Sequence, residues 1–293
     1  MSPTHSDPPE ALRAQIEDAV AAIRARAALV PEVAVILGTG LGSLSDSLKV
    51  DTIVPYGEIP HFVASTVEGH RGEFVFGRLA GRPAVVMNGR VHYYEGYTMR
   101  QVAFPVRVMQ ALGARTLIVS NAVGGMNPLF DKGDIMIVSD HINLMGDNPL
   151  LGPNDESLGP RFPDMSEPYD RALIRLAEDV ALELKLAVKK GVFVAVAGPN
   201  LETAAEYRFL RGIGADVVGM SLVPENLVAV HGGLRMLAFS VVTDRCWPDA
   251  LEPVDIPKIL AAAAAAAPRL DRLVSRVVER LDEAPPRPRP QGH

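Results

Sequence analysis

Two side chains suited to holding an oxyanion, Arg90 and His92, stand two residues apart in "NGRVHYYEGY", directly after an apolar run. In extended chain that spacing points both the same way. Arginine offers a rigid fork of donors that matches phosphate, and histidine adds one more. A second feature of the same kind precedes them: "VAVILGTGLG" runs from apolar residues into a turn where Gly38, Gly40 and Gly42 surround Thr39. Glycines let backbone N–H groups approach an anion closely, and the neighbouring hydroxyl adds a donor. No Gly-Lys-Ser/Thr follows, so this is not the nucleotide P-loop, and the third glycine falls too early for the dinucleotide fingerprint. A tight turn without a ligand remains the alternative for that stretch, as an ion pair does for Arg90 and plain packing for His92.

Three further apolar runs end in polar chemistry. "SNAVGG" leaves the amide of Ala122 accessible beside Asn121, and "VVGMSLVPE" supplies the Ser221 hydroxyl with Glu225 following it. "LAFSVVTDRCWPD" delivers a carboxylate, Asp244, where its run stops. Ligands of open α/β sheets collect where strands end, so these positions together imply one pocket. For Asp244 alone, a helix N-cap or a turn acid is the competing role.

The elements needed to carry these residues are visible in the pattern. Apolar runs at 33–37, 73–79, 83–87, 116–120, 134–139, 191–196, 215–220 and 235–242 read as strands, several too uniformly apolar to have a wet face. Helical spacing occupies 10–29, 99–112, 168–187, 202–212, 224–232 and 256–281, and "LAGR" at 79–82 reads as a hairpin turn. The alternation predicts an α/β fold, a single domain with a central mixed β-sheet flanked by helices on both sides. That domain is expected over 10–283, with disordered tails at 1–9 and, in Pro-Arg alternation, 284–293. The turn-rich stretch 146–168 is long enough to border a site or an interface.

Composition narrows the classes. Apolar residues make up 48% and charged residues 22%, as in a globular enzyme. A net charge of −6 with no basic cluster outside the tail argues against nucleic acid as a partner. No run approaches a membrane span, the alanine tract 261–267 included, and the start lacks a signal-peptide pattern. The single cysteine, Cys246, argues neither for a disulfide framework nor for zinc. A cytoplasmic protein is expected.

Nine segments in order, "GTGLG", "STVEGHRG", "GRVHYYEGY", "SNAVGGMNP", "DHINL", "GPNDES", "RFPDMSEPYD", "AGPNLETAAEYR" and "GADVVGMSLVPE", resemble those of the trimeric purine nucleoside phosphorylases, from about residue 10 to 281. The resemblance implies a phosphorylase/nucleosidase-like fold. It also implies reversible phosphorolysis of purine nucleosides, with phosphate as co-substrate and no metal or organic cofactor. It places phosphate on Thr39, His70, Arg90, His92, the Ala122 amide and Ser221. The pentose falls to Tyr94 and Met220, and the base to Leu201, Glu202, Val218 and Asp244. The same resemblance implies a homotrimer in which Phe162 closes the neighbouring subunit's site.

The chain departs from this pattern at two positions. Family members that prefer inosine and guanosine carry asparagine where this chain has Asp244. An ionised carboxylate only accepts, so it suits N7–H and an exocyclic amine and repels a bare O6. Glu202 instead matches the N1–H of hypoxanthine or guanine and opposes adenine N1 unless protonated. Ile256 stands where a histidine would bond the ribose 5′-hydroxyl. Together with "TDRCW", which is similar to the methylthioadenosine phosphorylases, it keeps 5′-methylthioadenosine open as a rival substrate. A catalytically silent nucleoside or phosphate binder is the rival from another class.

Overall fold

A computed structural model describes residues 9–38, 44, 47–66 and 71–285. Thr39, Gly40, Gly42 and His70 lie outside the described residues, as does most of each predicted tail. Among the described residues the order of strands and α-helices is α1 (Pro9–Arg24), β1 (Val33–Ile36), β2 (Lys49–Pro55), β3 (Glu73–Leu79), β4 (Arg82–Asn88), α2 (Met99–Ala111), β5 (Thr116–Gly125), β6 (Ile135–Leu144), α3 (Arg171–Glu183), β7 (Val188–Val196), α4 (Ala204–Gly212), β8 (Val217–Gly219), α5 (Val223–His231), β9 (Arg235–Arg245) and α6 (Ile256–Glu279).

They form one mixed sheet in the order β2-β3-β4-β1-β5-β8-β7-β6-β9. β9 also pairs in parallel with β5, closing those two strands with β8, β7 and β6 into a circuit. β1 is central and parallel to both β4 and β5, and every residue in it is buried. Such a strand needs cover on both faces, which accounts for its unbroken apolar run.

β3 and β4 pair antiparallel across the predicted hairpin, with Leu79 opposite Arg82. β2 carries no signal in the apolar pattern because it is an edge strand with only Val54 buried, and exposed edges tolerate Lys and Asp. At the C-terminal end the fold reaches past the predicted boundary: Ala284 is buried and its carbonyl accepts from Arg235 Nη1 at 3.2 Å. α1 begins at Pro9, inside the predicted N-terminal tail.

Two local devices matter for the site. Pairing of β5 with β9 slips between Val123 and Gly124, so that Val123 faces Val242 but Gly124 faces Asp244. Thr243 is the extra residue of this bulge, and a bulge re-aims the side chains beyond it. Without it, strict alternation would set Asp244 by the side-chain direction of Val242. The second device is the cap of α4. Thr203 Oγ1 accepts from the Glu206 amide while the Glu206 carboxylate accepts from the Thr203 amide, so the helix starts immediately after Glu202 and fixes where that acid leaves the loop.

The long segment 146–168 contains no helix or strand. It lies over α2 and α5, held by contacts such as His231 Nε2 to Asn154 Oδ1 at 3.1 Å. No helix among the described residues is long and apolar enough to cross a membrane.

Candidate active site

The ends of five strands, β1, β4, β5, β8 and β9, meet at one cavity of about 180 Å³, lined among others by Gly38, Arg90, His92, Tyr94, Ala122, Leu201, Glu202, Val218, Met220, Ser221 and Asp244. Residues as far apart in sequence as Gly38 and Ile259 thus share a wall.

Beyond β1, Gly38 lies against β5 so closely that a Cβ there would meet Asn121 Cα at 2.7 Å, so only glycine fits. Its amide donates to Ser120 Oγ at 3.3 Å. After β4 the chain turns at Gly89 and Arg90 plunges inward, 1% exposed. Its Nη1 donates to Glu225 Oε1 at 3.1 Å and its Nη2 donates to the Ser120 carbonyl. The ion pair left open for Arg90 therefore exists, and it also holds the guanidinium at the cavity wall. Because Glu225 balances that charge, an anion here would be bound mainly by directed N–H and O–H groups. Ser221 sits just ahead of α5, whose N-terminal end favours an anion.

His92 is held from below. Glu95 Oε1 accepts from its backbone amide at 2.7 Å and lies 3.0 Å from Nδ1, which therefore carries the proton. The other Glu95 oxygen accepts from the amide and hydroxyl of Thr66 at 2.6 and 2.7 Å. Burial pushes the Glu95 carboxyl up, but these bonds from Thr66 and His92 outweigh it and leave the group below its usual value. The imidazole stacks on Tyr94 with ring centroids 4.8 Å apart. Burial first, and Glu95 second, push the Tyr94 hydroxyl up to about 12, so it stays a neutral donor.

The acid wall lies across from this group. Asp244 Oδ1 accepts from Thr243 Oγ1 at 2.9 Å and Oδ2 from the Cys246 thiol at 3.0 Å. Its helix-cap alternative does not hold, since it stands inside β9. Glu202 is raised, by burial above all, with smaller contributions from Glu206 and Asp244. Gly198 carries a positive φ of 67° and leaves room for Met220 Sδ, which a Cβ would strike.

Of the other expected contacts, Ile256 lies 55% exposed at the first position of α6 and lines an adjoining cavity of about 710 Å³ that shares the Glu202–Asp244 wall. Phe162 projects from the long segment, 86% exposed, and does not reach this chain's cavity. Sequence reasoning gave no part to the Asn121 side chain, buried at 3% with neither amide atom partnered among the described residues, nor to Tyr207 and Thr243. An Asn after an apolar run is a detectable signal for the first, whereas Tyr207 enters only through the turn of α4. Among the described residues no cluster of His, Cys, Asp and Glu could hold a metal ion.

An α/β sheet whose strand ends bring oxyanion-binding groups and paired acids to one cavity is suited to a substrate that carries both an anion and hydrogen-bonding nitrogens. Residues 32–279 match the model of the phosphorylase superfamily. The purine nucleoside phosphorylase 1 of Geobacillus stearothermophilus is 53% identical over 232 residues, covering 79% of this chain and 85% of that one. The purine nucleoside phosphorylase of Mus musculus is 50% identical over 258 residues, covering 86% and 89%. A crystal structure of the Schistosoma enzyme in complex with hypoxanthine superposes with a TM-score of 0.88 at 40% identity, covering 96% of this chain and 99% of that one. The Schistosoma mansoni enzyme in complex with adenosine gives 0.86 at 41% identity, covering 92% and 97%. The chain belongs to the phosphorylase superfamily and, within it, to the purine nucleoside phosphorylases.

Proposed function

We propose that this protein catalyses the reversible phosphorolysis of purine nucleosides, releasing the base and forming a pentose 1-phosphate. Inosine and guanosine are the main substrates and adenosine an additional one. The observation that carries this reading is the convergence of Arg90, His92, Ala122 and Ser221 with Glu202 and Asp244 on one cavity. Breaking the N-glycosidic bond builds positive charge on the sugar and negative charge on the base. A phosphate held by Arg90, His92, Ser221 and the Ala122 amide, with Thr39 and His70, stabilises the first. A hydrogen bond between Asp244 and purine N7, donated by the acid when it is protonated and by N7–H when it is ionised, stabilises the second. Seating both reactants together removes much of the entropic barrier to their meeting.

Tyr94 and Met220 take the pentose, while Leu201 and Val218 flank the base that Glu202 and Asp244 read. Glu95 positions His92. Inorganic phosphate is the only co-substrate and no metal or organic cofactor takes part. The unit is a single domain that takes in Pro9 and Ala284 and works as a homotrimer, and the exposure of Phe162 supports its service in a neighbour's site. A lone buried thiol fits the reducing cytoplasm.

One observation supports a second substrate: Ile256, Ile259, Val254 and Leu251 give the adjoining cavity an apolar side suited to a 5′-methylthio group. Inosine, guanosine, adenosine and 5′-methylthioadenosine assayed side by side with phosphate decide between the readings. Turnover led by inosine and guanosine is expected. Turnover of the methylthio substrate alone would transfer the assignment to it, and ligand binding without base release would leave only a binder.

A further inference from the structure

The two acids of the base wall demand opposite partners, yet they are not independent. The Cys246 thiol donates to Asp244 Oδ2 at 3.0 Å. Tyr207, one turn into α4, packs with Cys246 and lines both cavities beside Glu202, which sets its hydroxyl between the thiol and the Glu202 carboxyl. Glu202, Tyr207, Cys246 and Asp244 thus stand in series along the wall shared by the two cavities. We propose that Tyr207 and Cys246 are positioning residues for the base, two turning donors that join Glu202 to Asp244 and favour ionisation of one acid at a time, so that one pocket reads both 6-oxopurines and 6-aminopurines.

Each donor has one proton and two acceptors within reach. When both turn toward Asp244, Tyr207 O–H donates to Cys246 Sγ and the thiol donates to an ionised Asp244. Glu202 then keeps its proton and donates it to N1 of a 6-aminopurine, while Asp244 accepts from the exocyclic amine. When both turn toward Glu202, the thiol donates to the Tyr207 oxygen and the phenol donates to an ionised Glu202. Glu202 then accepts N1–H of a 6-oxopurine, and a protonated Asp244 donates to O6. With both acids ionised the two donors point apart and the contact between them is lost. That lost bond is what couples the acids.

Three features fit this arrangement. Burial above all pushes the Cys246 thiol and the Tyr207 phenol well up, so both stay protonated donors and never become anions at neutral pH. Thr243 Oγ1 has two acceptors of its own, Asp244 Oδ1 at 2.9 Å and the Val123 carbonyl at 3.2 Å, so it can follow the charge on Asp244. Gly124 keeps the thiol's seat open, since a Cβ there would meet Cys246 Sγ at 2.5 Å. Besides the two ends of the series, Glu206 also raises Glu202.

The proposal rests on the purine-phosphorolysis reading and adds a prediction of sign. Cys246→Val removes the donor that supports ionised Asp244, so the adenosine-to-inosine ratio of kcat/KM should fall by about tenfold. Tyr207→Phe removes the donor that supports ionised Glu202, so the same ratio should rise by about tenfold. Cys246→Ser keeps an O–H in place and should hold the ratio near that of the unaltered protein. A merely structural role would move both variants the same way, and that result, or no change in either, would overturn the proposal.

A second measurement needs no variant. Cys246 is the chain's single cysteine, so its S–H stretching band in infrared difference spectra needs no further assignment. With phosphate present, the band should lie lower in the adenine complex, where the thiol donates to a carboxylate, than in the hypoxanthine complex, where it donates to a phenol. Identical bands, in a protein that still releases base from nucleosides, would sink the relay alone. Absence of base release would instead sink the functional reading beneath it.

Discussion

Arg90→Met is expected to lower unfolding stability by about 3–5 kcal/mol, because it leaves Glu225 as an uncompensated charge where almost no water reaches it. Urea unfolding checks this. Adding Glu225→Gln in the same chain should recover most of the loss, since replacing both partners of a buried pair is often nearly neutral. The two variants separate folding from phosphate binding. Both should bind phosphate about a hundredfold more weakly than the unaltered protein, through loss of charge-assisted bonds from the fork. Titration calorimetry with inorganic phosphate reads that loss. If the double variant regained phosphate affinity along with stability, Arg90 would be a structural residue only.

The second large effect belongs to Asp244→Asn. An asparagine amide offers both a donor and an acceptor to the O6 and N7 edge of a 6-oxopurine, whereas the carboxylate only accepts. Adenosine should therefore lose ground to inosine by about a hundredfold in the ratio of kcat/KM, as a site built for one hydrogen-bond pattern rejects the other. Steady-state kinetics with both nucleosides decides it. Equal losses for the two substrates would strip Asp244 of its part in specificity and leave it a general contributor to catalysis.

Much of this was legible from residue types, and the illegible part has physical causes. The buried strands announced themselves because a strand covered on both faces must be apolar throughout, as in β1. β2 was silent because an edge strand owes its place to backbone pairing with β3, not to apolar side chains. Arg90, His92, Ala122, Ser221 and Asp244 could be singled out by their position after apolar runs. Their common cavity depends on sheet order, which no local pattern contains. The partner of Arg90 stands 135 residues away, and only the packing of α5 against the sheet brings Glu225 to it.

Asp244 illustrates the limit most clearly. Its type and its place at the end of an apolar run were visible, but its aim is set by the bulge at Thr243, a slip in pairing with β5 that strand alternation does not foretell. Tyr207 and the Asn121 side chain escaped for a related reason. Tyr207 reaches the cavity through the placing of α4, and Asn121 stands within β5 opposite Ser240, where strand alternation does not say what its amide faces. The roles of Tyr94, Met220 and Val218 came from family resemblance alone, since hydrophobic or aromatic residues at strand ends are commonly packing residues.

Phosphorolysis requires an inorganic anion to act as the nucleophile at the sugar. Its most direct test is release of hypoxanthine from inosine with and without orthophosphate, followed together with the pentose product. Base release that scales with phosphate, yields pentose 1-phosphate in equal amount and stops when phosphate is withdrawn is the predicted result. Release at an unchanged rate without phosphate, with free pentose as product, would contradict it.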